Sequence, residues 1–212
     1  MKKLDTHYIP RNFSDRFAKL ISKFLRWVAD VIFQKRHGHR AVVLETAAAV
    51  PGMIAGMLIH LKCLRKQSSD SGWIKTLLDE AENERMHLMV FVEIAKPNWL
   101  ERIVILLAQG AFVIGFLILH LATPKTAHRL TGYLEEEAII SYNIYLEDID
   151  NKSVENIPAP KIAIDYWNLD VDATLRDVVI AVRNDEAVHR DVNHRFANKL
   201  IKSKTHKQLV IR

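Results

Sequence analysis

Two Glu-x-x-His pairs stand about a hundred positions apart in this chain: Glu84–Arg85–Met86–His87 and Glu186–Ala187–Val188–His189. Each lies inside an apolar pattern of helix length. A residue three places on in an α-helix returns to roughly the same face. Each pair therefore presents one carboxylate and one imidazole to the same point. Two such pairs, joined by one Glu from each of two further helices, make the ligand set of carboxylate-bridged dinuclear metal sites. The sequence offers both extra glutamates: Glu45 in LETAAAVPGM, and one of Glu135, Glu136 and Glu137 in GYLEEEA.

Four carboxylates and two imidazoles suit borderline to hard transition metals, iron or manganese. Structural zinc sites prefer four ligands drawn from Cys and His. Four glutamates carry a charge that two divalent ions neutralise, and buried carboxylates without such partners are costly. A lone Glu-x-x-His on a helix is usually surface decoration. Two of them, each embedded in hydrophobic periodicity, point to metal. Glu45 has AVVL before it and TAAAV after it, a flank that argues against a solvated face. Tyr142 lies seven residues after Glu135, nearly two turns, and shares its face. Beside a di-iron site it could donate an electron and a proton during O–O cleavage; the alternative is an ordinary core tyrosine. Asn83 and Asp185 each precede the Glu of a pair and could hydrogen-bond the ligands.

The punctuation of the chain predicts six helices to carry these groups. They run from about Ser14 (a candidate N-cap) to Phe33, Arg40 to Lys66, Trp73 to Ala95, Trp99 to Ala122, Lys125 to Asp150, and near Asp172 to about Lys199. A kink is expected at Pro51, inside the second. Pro97 stops the third. IPAPKIAIDYWNL reads as an extended connector because of its prolines.

The chain has 212 residues, of which 49% are hydrophobic and 26% charged, enough for one domain with a substantial core. Its net charge of +5 suits an anionic membrane surface or nucleic acid. No nucleic-acid signature occurs, and the basic residues alternate with bulky apolar ones, so the membrane surface is favoured and nucleic acid is not expected. In the first helix Phe17, Leu20, Ile21, Phe24, Val28 and Val31 repeat at helical spacing among Arg16, Lys19, Lys23 and Arg26. That is the pattern of a helix lying in a lipid interface. Ile103 to Ala122 carries no Asp, Glu, Lys or Arg and is long enough to span a bilayer. A single crossing there would strand Glu84 and His87 on one side and Glu135 on the other. The fourth helix is therefore expected to lie along the membrane. Cys63 is the only cysteine, so no intrachain disulfide forms. The start has no apolar leader and is not a long Arg- and Ser-rich transit peptide. These features together suggest a bacterial protein on the cytoplasmic side of a membrane; a processed organelle enzyme is the alternative.

LETAAAVPGM, NERMHL, GYLEEEA and DEAVHRDVNH resemble the signature segments of the alternative oxidases. The resemblance extends through HLKCLRK, GWIKTLLDEAENERMHLMVF, IPAPKIAIDYW and DATLRDVV, from about His7 to Phe196. It implies a cyanide-insensitive, monotopic, homodimeric quinol oxidase that reduces O₂ to water at a non-haem di-iron centre without pumping protons. The two iron ions would be held by Glu45, Glu84, His87, Glu135, Glu186 and His189, with Tyr142 as catalytic tyrosine. Arg40, Leu44, Ala48, Leu134, Glu137 and Ser141 would line the quinol pocket, with Arg26 and Asp30 near its mouth. Asn83, His128, Trp167 and Asp185 would form a supporting hydrogen-bond network. The fold expected is all-α: a ferritin-like four-helix bundle holding the di-iron centre, plus two additional membrane-associated helices. It forms a single domain over 1–212, with an N-terminal arm at 1–12 and a flexible C-terminal tail at 200–212.

Two departures from the family bear on control. Plant members carry a Gly-Cys-Arg run where this chain has Gly38–His39–Arg40, and their N-terminal regulatory extension is missing here, so thiol and 2-oxo-acid control is not expected. Ser141 stands where many members carry Thr or Ser. Ubiquinol is the expected substrate, and plastoquinol fits the same pattern. A quinone-ring hydroxylase and an iron-storage bundle are the competing readings. The hydroxylase would insert oxygen into its substrate; the storage bundle would lack the two lipid-seeking helices.

Overall fold

The computed structural model describes Leu4 and residues 6–210, with side chains as far as Ile201. The first three residues of the expected N-terminal arm, its fifth, and the last two of the expected tail lie outside the described residues. Seven helices are present among those described: α1 (Phe13–Phe33), α2 (His37–Lys66), α3 (Trp73–Ala95), α4 (Trp99–Ala122), α5 (Pro124–Asp150), α6 (Lys161–Trp167) and α7 (Leu175–Val210). No strand occurs among them; Pro158 and Thr174 form one isolated antiparallel bridge. The fold is all-α.

Local chemistry sets the boundaries. The cap of α1 is Asn12, not Ser14: the Asn12 side chain accepts from the Asp15 backbone N–H at 3.0 Å. Ser14 instead shares a 2.7 Å hydrogen bond with Thr126 on α5. Asn98 and Glu101 close a full capping box at the start of α4. Pro124 opens α5 at a position where its missing N–H costs nothing. The connector is not wholly extended. Its prolines all lie upstream of Lys161, Pro160 caps α6, and the proline-free KIAIDYW coils until Asn168 turns left-handed at φ 51°. α7 starts three residues later than expected because Asp177 reaches back to the Thr174 backbone N–H and hydroxyl, both at 2.8 Å.

α2 packs along α3 and α5 along α7, and these four helices surround the candidate centre. Two glycines permit the close approach. A Cβ on Gly52 would lie 2.4 Å from the Leu77 carbonyl oxygen of α3, and one on Gly132 would lie 2.5 Å from His194 Nδ1 of α7. α2 continues as a helix through Pro51. The largest apolar cluster gathers Phe91, Tyr142, Tyr145, Leu146, Ile149, Val178, Val179 and Val182 at one end of the bundle. Each fully buried valine contributes about 1.5–3 kcal/mol.

α1 lies on α5, and α4 lies against α2 and α5. Both leave an apolar face open. On α1, Phe13, Phe17, Leu20, Phe24, Trp27 and Val31 are exposed, while Ile21 and Val28 of the predicted stripe are half-buried against the bundle. On α4, Leu106, Leu107, Ile114, Ile118 and Leu121 are each more than 60% exposed. α2 and α4 are both long and apolar enough to cross a membrane, but half of the apolar stretch of α2 is buried inside the protein.

Candidate metal centre

The six predicted ligands come from α2 (Glu45), α3 (Glu84, His87), α5 (Glu135) and α7 (Glu186, His189), and each is at most 6% exposed. Ligand atoms of Glu45, Glu84, His87 and Glu186 all lie within 4.8 Å of one another. His87 Nδ1 is 3.3 Å from Glu45 Oε2, Glu84 Oε2 and Glu186 Oε1 alike. His189 Nδ1 is 2.6 Å from Glu84 Oε1 and 3.5 Å from Glu186 Oε2. Glu135, from the fourth helix, and His189 fall outside that group of four; Glu135 is buried near it and feels the charges of Glu186 and Glu84.

The donors have the character of a metal site. Both carboxylate oxygens of Glu84 and of Glu186, and Nδ1 of His189, are buried without a hydrogen bond of proper geometry. Orphaned buried acceptors of this kind are costly unless a cation meets them. The electrostatics agree. Burial, then Glu186 and Glu84, pushes the Glu45 pKa well above the usual carboxylate value, and burial with the same neighbours raises Glu135. At Glu84, burial works upward, but His189 and His87 outweigh it and hold the carboxyl well below its usual value. Burial would discharge the two imidazoles, yet Glu84 and its neighbours raise both. Protons on His87 and His189 thus stand in for part of the positive charge the carboxylates demand, and a bound cation would replace them. The buried Glu/His cluster is able to bind metal.

Asp185 orients one of the imidazoles. Its Oδ2 accepts from His87 Nε2 at 3.3 Å, from Trp167 Nε1 at 2.8 Å and from Asn83 Nδ2 at 3.0 Å. Burial raises the Asp185 pKa, but these three donors outweigh it and keep the group ionised. Asn83 also donates to Tyr166, which the sequence reading did not single out. His128 does not join this network. It is hydrogen-bonded to Asn193 at 3.0 Å, in a separate chain in which Asn193 donates to Glu80 Oε1 at 2.7 Å. Burial drives the His128 pKa down to about 4. Glu80, absent from the predicted site, is buried beside the cluster, and burial raises its pKa to about 7. Its place four residues before Glu84 is the signal that marks it, since that spacing puts both on one face of α3.

Tyr142 is 5% exposed, and its hydroxyl donates to Glu45 Oε1. Its ring stacks on Phe91 at 5.8 Å. Burial and then Glu45 push its pKa well above that of a free phenol. A crevice lined by His37, Arg40, Leu44, Ser141, Tyr142 and Tyr145 reaches this residue from outside. As packed it encloses about 10 Å³, room for roughly one water. Arg40 is held over it by an ion pair with Asp30, whose other partner, Arg26, pairs at 2.7 Å with Glu137. Ser141 turns its hydroxyl onto the Glu137 carbonyl at 2.8 Å. Ala48 is half-buried on α2, and Leu134 packs with Leu130 and Tyr133 against α1; neither lines the crevice.

Comparison with known proteins decides the family: the sequence model of the alternative oxidases matches residues 2–198. The chain belongs to the alternative oxidase family. It is 59% identical over 191 residues to the mitochondrial ubiquinol oxidase of Mangifera indica, covering 90% of this chain and 60% of that one. It is 57% identical over 191 residues to ubiquinol oxidase 1c, mitochondrial, of Arabidopsis thaliana, covering 90% and 58%. With alternative oxidase 3, mitochondrial, of Glycine max it shares 57% over 194 residues, covering 92% and 59%. The chain thus spans about three-fifths of the length of the curated relatives it matches.

Proposed function

We propose that this member of the alternative oxidase family is a membrane-bound quinol oxidase. It oxidises ubiquinol and reduces O₂ to water at two iron ions, without moving protons across the membrane. The observation that carries this reading is the buried set of four glutamates and two histidines, with orphaned oxygens on Glu84 and Glu186, in a chain closely similar to proteins named ubiquinol oxidases. Glu45, Glu84, His87, Glu135, Glu186 and His189 would hold the iron, which supplies the reversible one-electron chemistry that these side chains lack.

The chain's own residues do the rest. Tyr142 both lines the crevice and donates to the candidate ligand Glu45, so it stands between substrate and centre and can pass a proton at its hydroxyl. A quinol head needs more room than the packed crevice gives. Moving Arg40 out together with its partially exposed partner Asp30 provides it, and Arg40 and Glu137 then orient the two quinol oxygens. Asp185 holds the His87 ring with Nδ1 toward the carboxylates. The apolar packing of Phe91, Tyr145 and Leu146 around Tyr142 keeps bulk water away.

The exposed apolar faces of α1 and α4 support a monotopic attachment, with both helices lying in one leaflet and quinol entering laterally. They also count against an iron-storage bundle, which has no use for such faces. An inner membrane is the expected site, bacterial at its cytoplasmic face or mitochondrial at the matrix side. The homodimer implied by the family belongs to the same reading and is checked by sedimentation in detergent.

Oxygen uptake by membranes carrying this oxidase alone, with added quinol, tests the activity. Uptake that persists in cyanide, with quinone and water as the products, is expected. A hydroxylated quinone product would instead establish the hydroxylase reading, and no quinol-dependent uptake would refute both.

A further inference from the structure

The three consecutive glutamates of α5 face three different ways. Glu135 joins the metal-ligand cluster, Glu137 pairs with Arg26, and Glu136 turns to the N-terminal arm and α7. Glu136 is only 3% exposed. Its Oε1 accepts from the Tyr8 backbone N–H at 2.6 Å and from His194 Nε2 at 3.0 Å, and its Oε2 lies 3.1 Å from His7 Nδ1. Two turns earlier on the same face of α5, Arg129 is completely buried. It reaches Asp15 of α1 at 3.3 Å, and His194 Nδ1 and Asn198 of α7 at 2.9 and 2.7 Å. The Tyr8 ring lies 3.6 Å from the Arg129 guanidinium and stacks on His194 at 4.8 Å, while its hydroxyl donates to Asn198 at 3.1 Å. Arg129 donates to His194 Nδ1, so the proton of that ring sits on Nε2 and points at Glu136. The arm, α1, α5 and α7 therefore meet in one buried polar knot.

That knot fixes how α5 is turned about its axis. Successive residues on a helix differ by about 100°, so Glu135 and Glu137 flank Glu136 on either side. With side chains reaching about 5–6 Å from the axis, a rotation of roughly 10° displaces both carboxylates by about 1 Å. A misplacement of that size at a reacting centre can cost about a hundredfold in rate. We propose that Glu136 is a positioning residue, and that His7 and Tyr8 form a strap which, through it, sets the placement of Glu135 toward the metal and of Glu137 toward quinol. This rests on the quinol-oxidase reading above.

The test compares the full chain in detergent with three variants: Glu136→Ala, Glu136→Gln, and the double arm variant His7→Ala with Tyr8→Pro, which removes the His7 imidazole and both the ring and the N–H of Tyr8 and leaves α5 untouched. Iron retained per chain after dialysis against a chelator is read alongside KM for quinol and kcat. Glu136→Ala lowers kcat/KM about 10–100-fold, raises KM and loses iron faster. Glu136→Gln recovers most of this, because its amide oxygen still accepts from Tyr8. The arm variant moves iron retention and KM in the same direction by a smaller factor, about threefold. An arm variant with wild-type KM and iron retention, altered only in melting temperature, would overturn the proposal, as would a Glu136→Gln no better than Glu136→Ala. If Glu136→Ala does not fold, the arm variant decides alone. A wild-type chain that holds iron but does not oxidise quinol sinks the functional reading; iron retention in the variants still judges the placement of Glu135.

Discussion

Asp185 and His87 are joined across α7 and α3: Asp185 Oδ2 accepts from His87 Nε2 at 3.3 Å. This one bond orients a completely buried imidazole and turns its other nitrogen, Nδ1, toward three glutamates at 3.3 Å each. Trp167 and Asn83 hold the aspartate in turn. Support of this kind typically changes metal affinity by about 10–100-fold.

Asp185→Asn should therefore weaken iron binding by about 10–100-fold while the helices still assemble. All three donors converge on Oδ2, and a neutral amide oxygen in its place is a weaker acceptor than the carboxylate and no longer offsets the charge of the cation that His87 faces. Competition with a graded iron chelator, monitored together with far-UV circular dichroism, reads both quantities. Unchanged iron affinity would remove Asp185 from the account.

Tyr142→Phe keeps the stack on Phe91 and removes only the hydroxyl that donates to Glu45. Quinol oxidation should fall at least about a hundredfold, the scale of a lost proton-transfer group, with the iron content unchanged. A variant with normal turnover would return Tyr142 to the role of a core tyrosine.

His128 makes stability depend on pH. Its pKa falls from 6.5 in the unfolded chain to about 4 in the fold because burial disfavours the cation. Between those values the unfolded state binds the extra proton, so stability is complete above about pH 6.5 and declines as pH falls toward 4. The full effect is about 3 kcal/mol. His120, ring-to-ring with His128 at 5.4 Å and also lowered to about 4 by burial and then by His128, acts in the same window and sense. Denaturant unfolding at pH 7 and pH 5 should show the loss, and His128→Phe should flatten it. An equal slope in the variant would contradict this assignment.

Two glycines provide a matched pair of substitutions. A Cβ on Gly52 would meet the Leu77 carbonyl at 2.4 Å and Ala81 Cβ at 3.0 Å, whereas one on Gly110 of α4 would meet nothing within 4 Å. Gly52→Ala should cost about 1–3 kcal/mol and push Glu45 away from Glu84. Gly110→Ala should be neutral or stabilising by up to about 1 kcal/mol. Melting temperatures of the two variants check the contrast.

The convergence of the Glu and His side chains was legible because helix geometry ties spacing to direction. Glu84 with His87, and Glu186 with His189, can only point together once their segments are helical. Glu45 was legible from its apolar flanks. The triple glutamate was not resolved by spacing, since three adjacent residues sweep more than half a turn; only the packing of α5 assigns each a direction. α6 was missed because Pro158 and Pro160 colour the whole connector, although both precede the helix. His128 was placed in the wrong network because position along a helix does not say which neighbouring helix an imidazole meets. Glu136 and its arm contacts depend on residues more than a hundred positions away, and no local pattern carries that pairing.

Six side chains from four helices are proposed to hold two iron ions. Iron analysis of the purified chain, beside Glu84→Ala confirmed as folded, tests this proposal most directly. Two irons per chain are expected in the wild type, and the variant should lose both together with quinol-dependent oxygen uptake. A wild-type chain that takes up no iron, or a folded Glu84→Ala that keeps both ions and its activity, would contradict it.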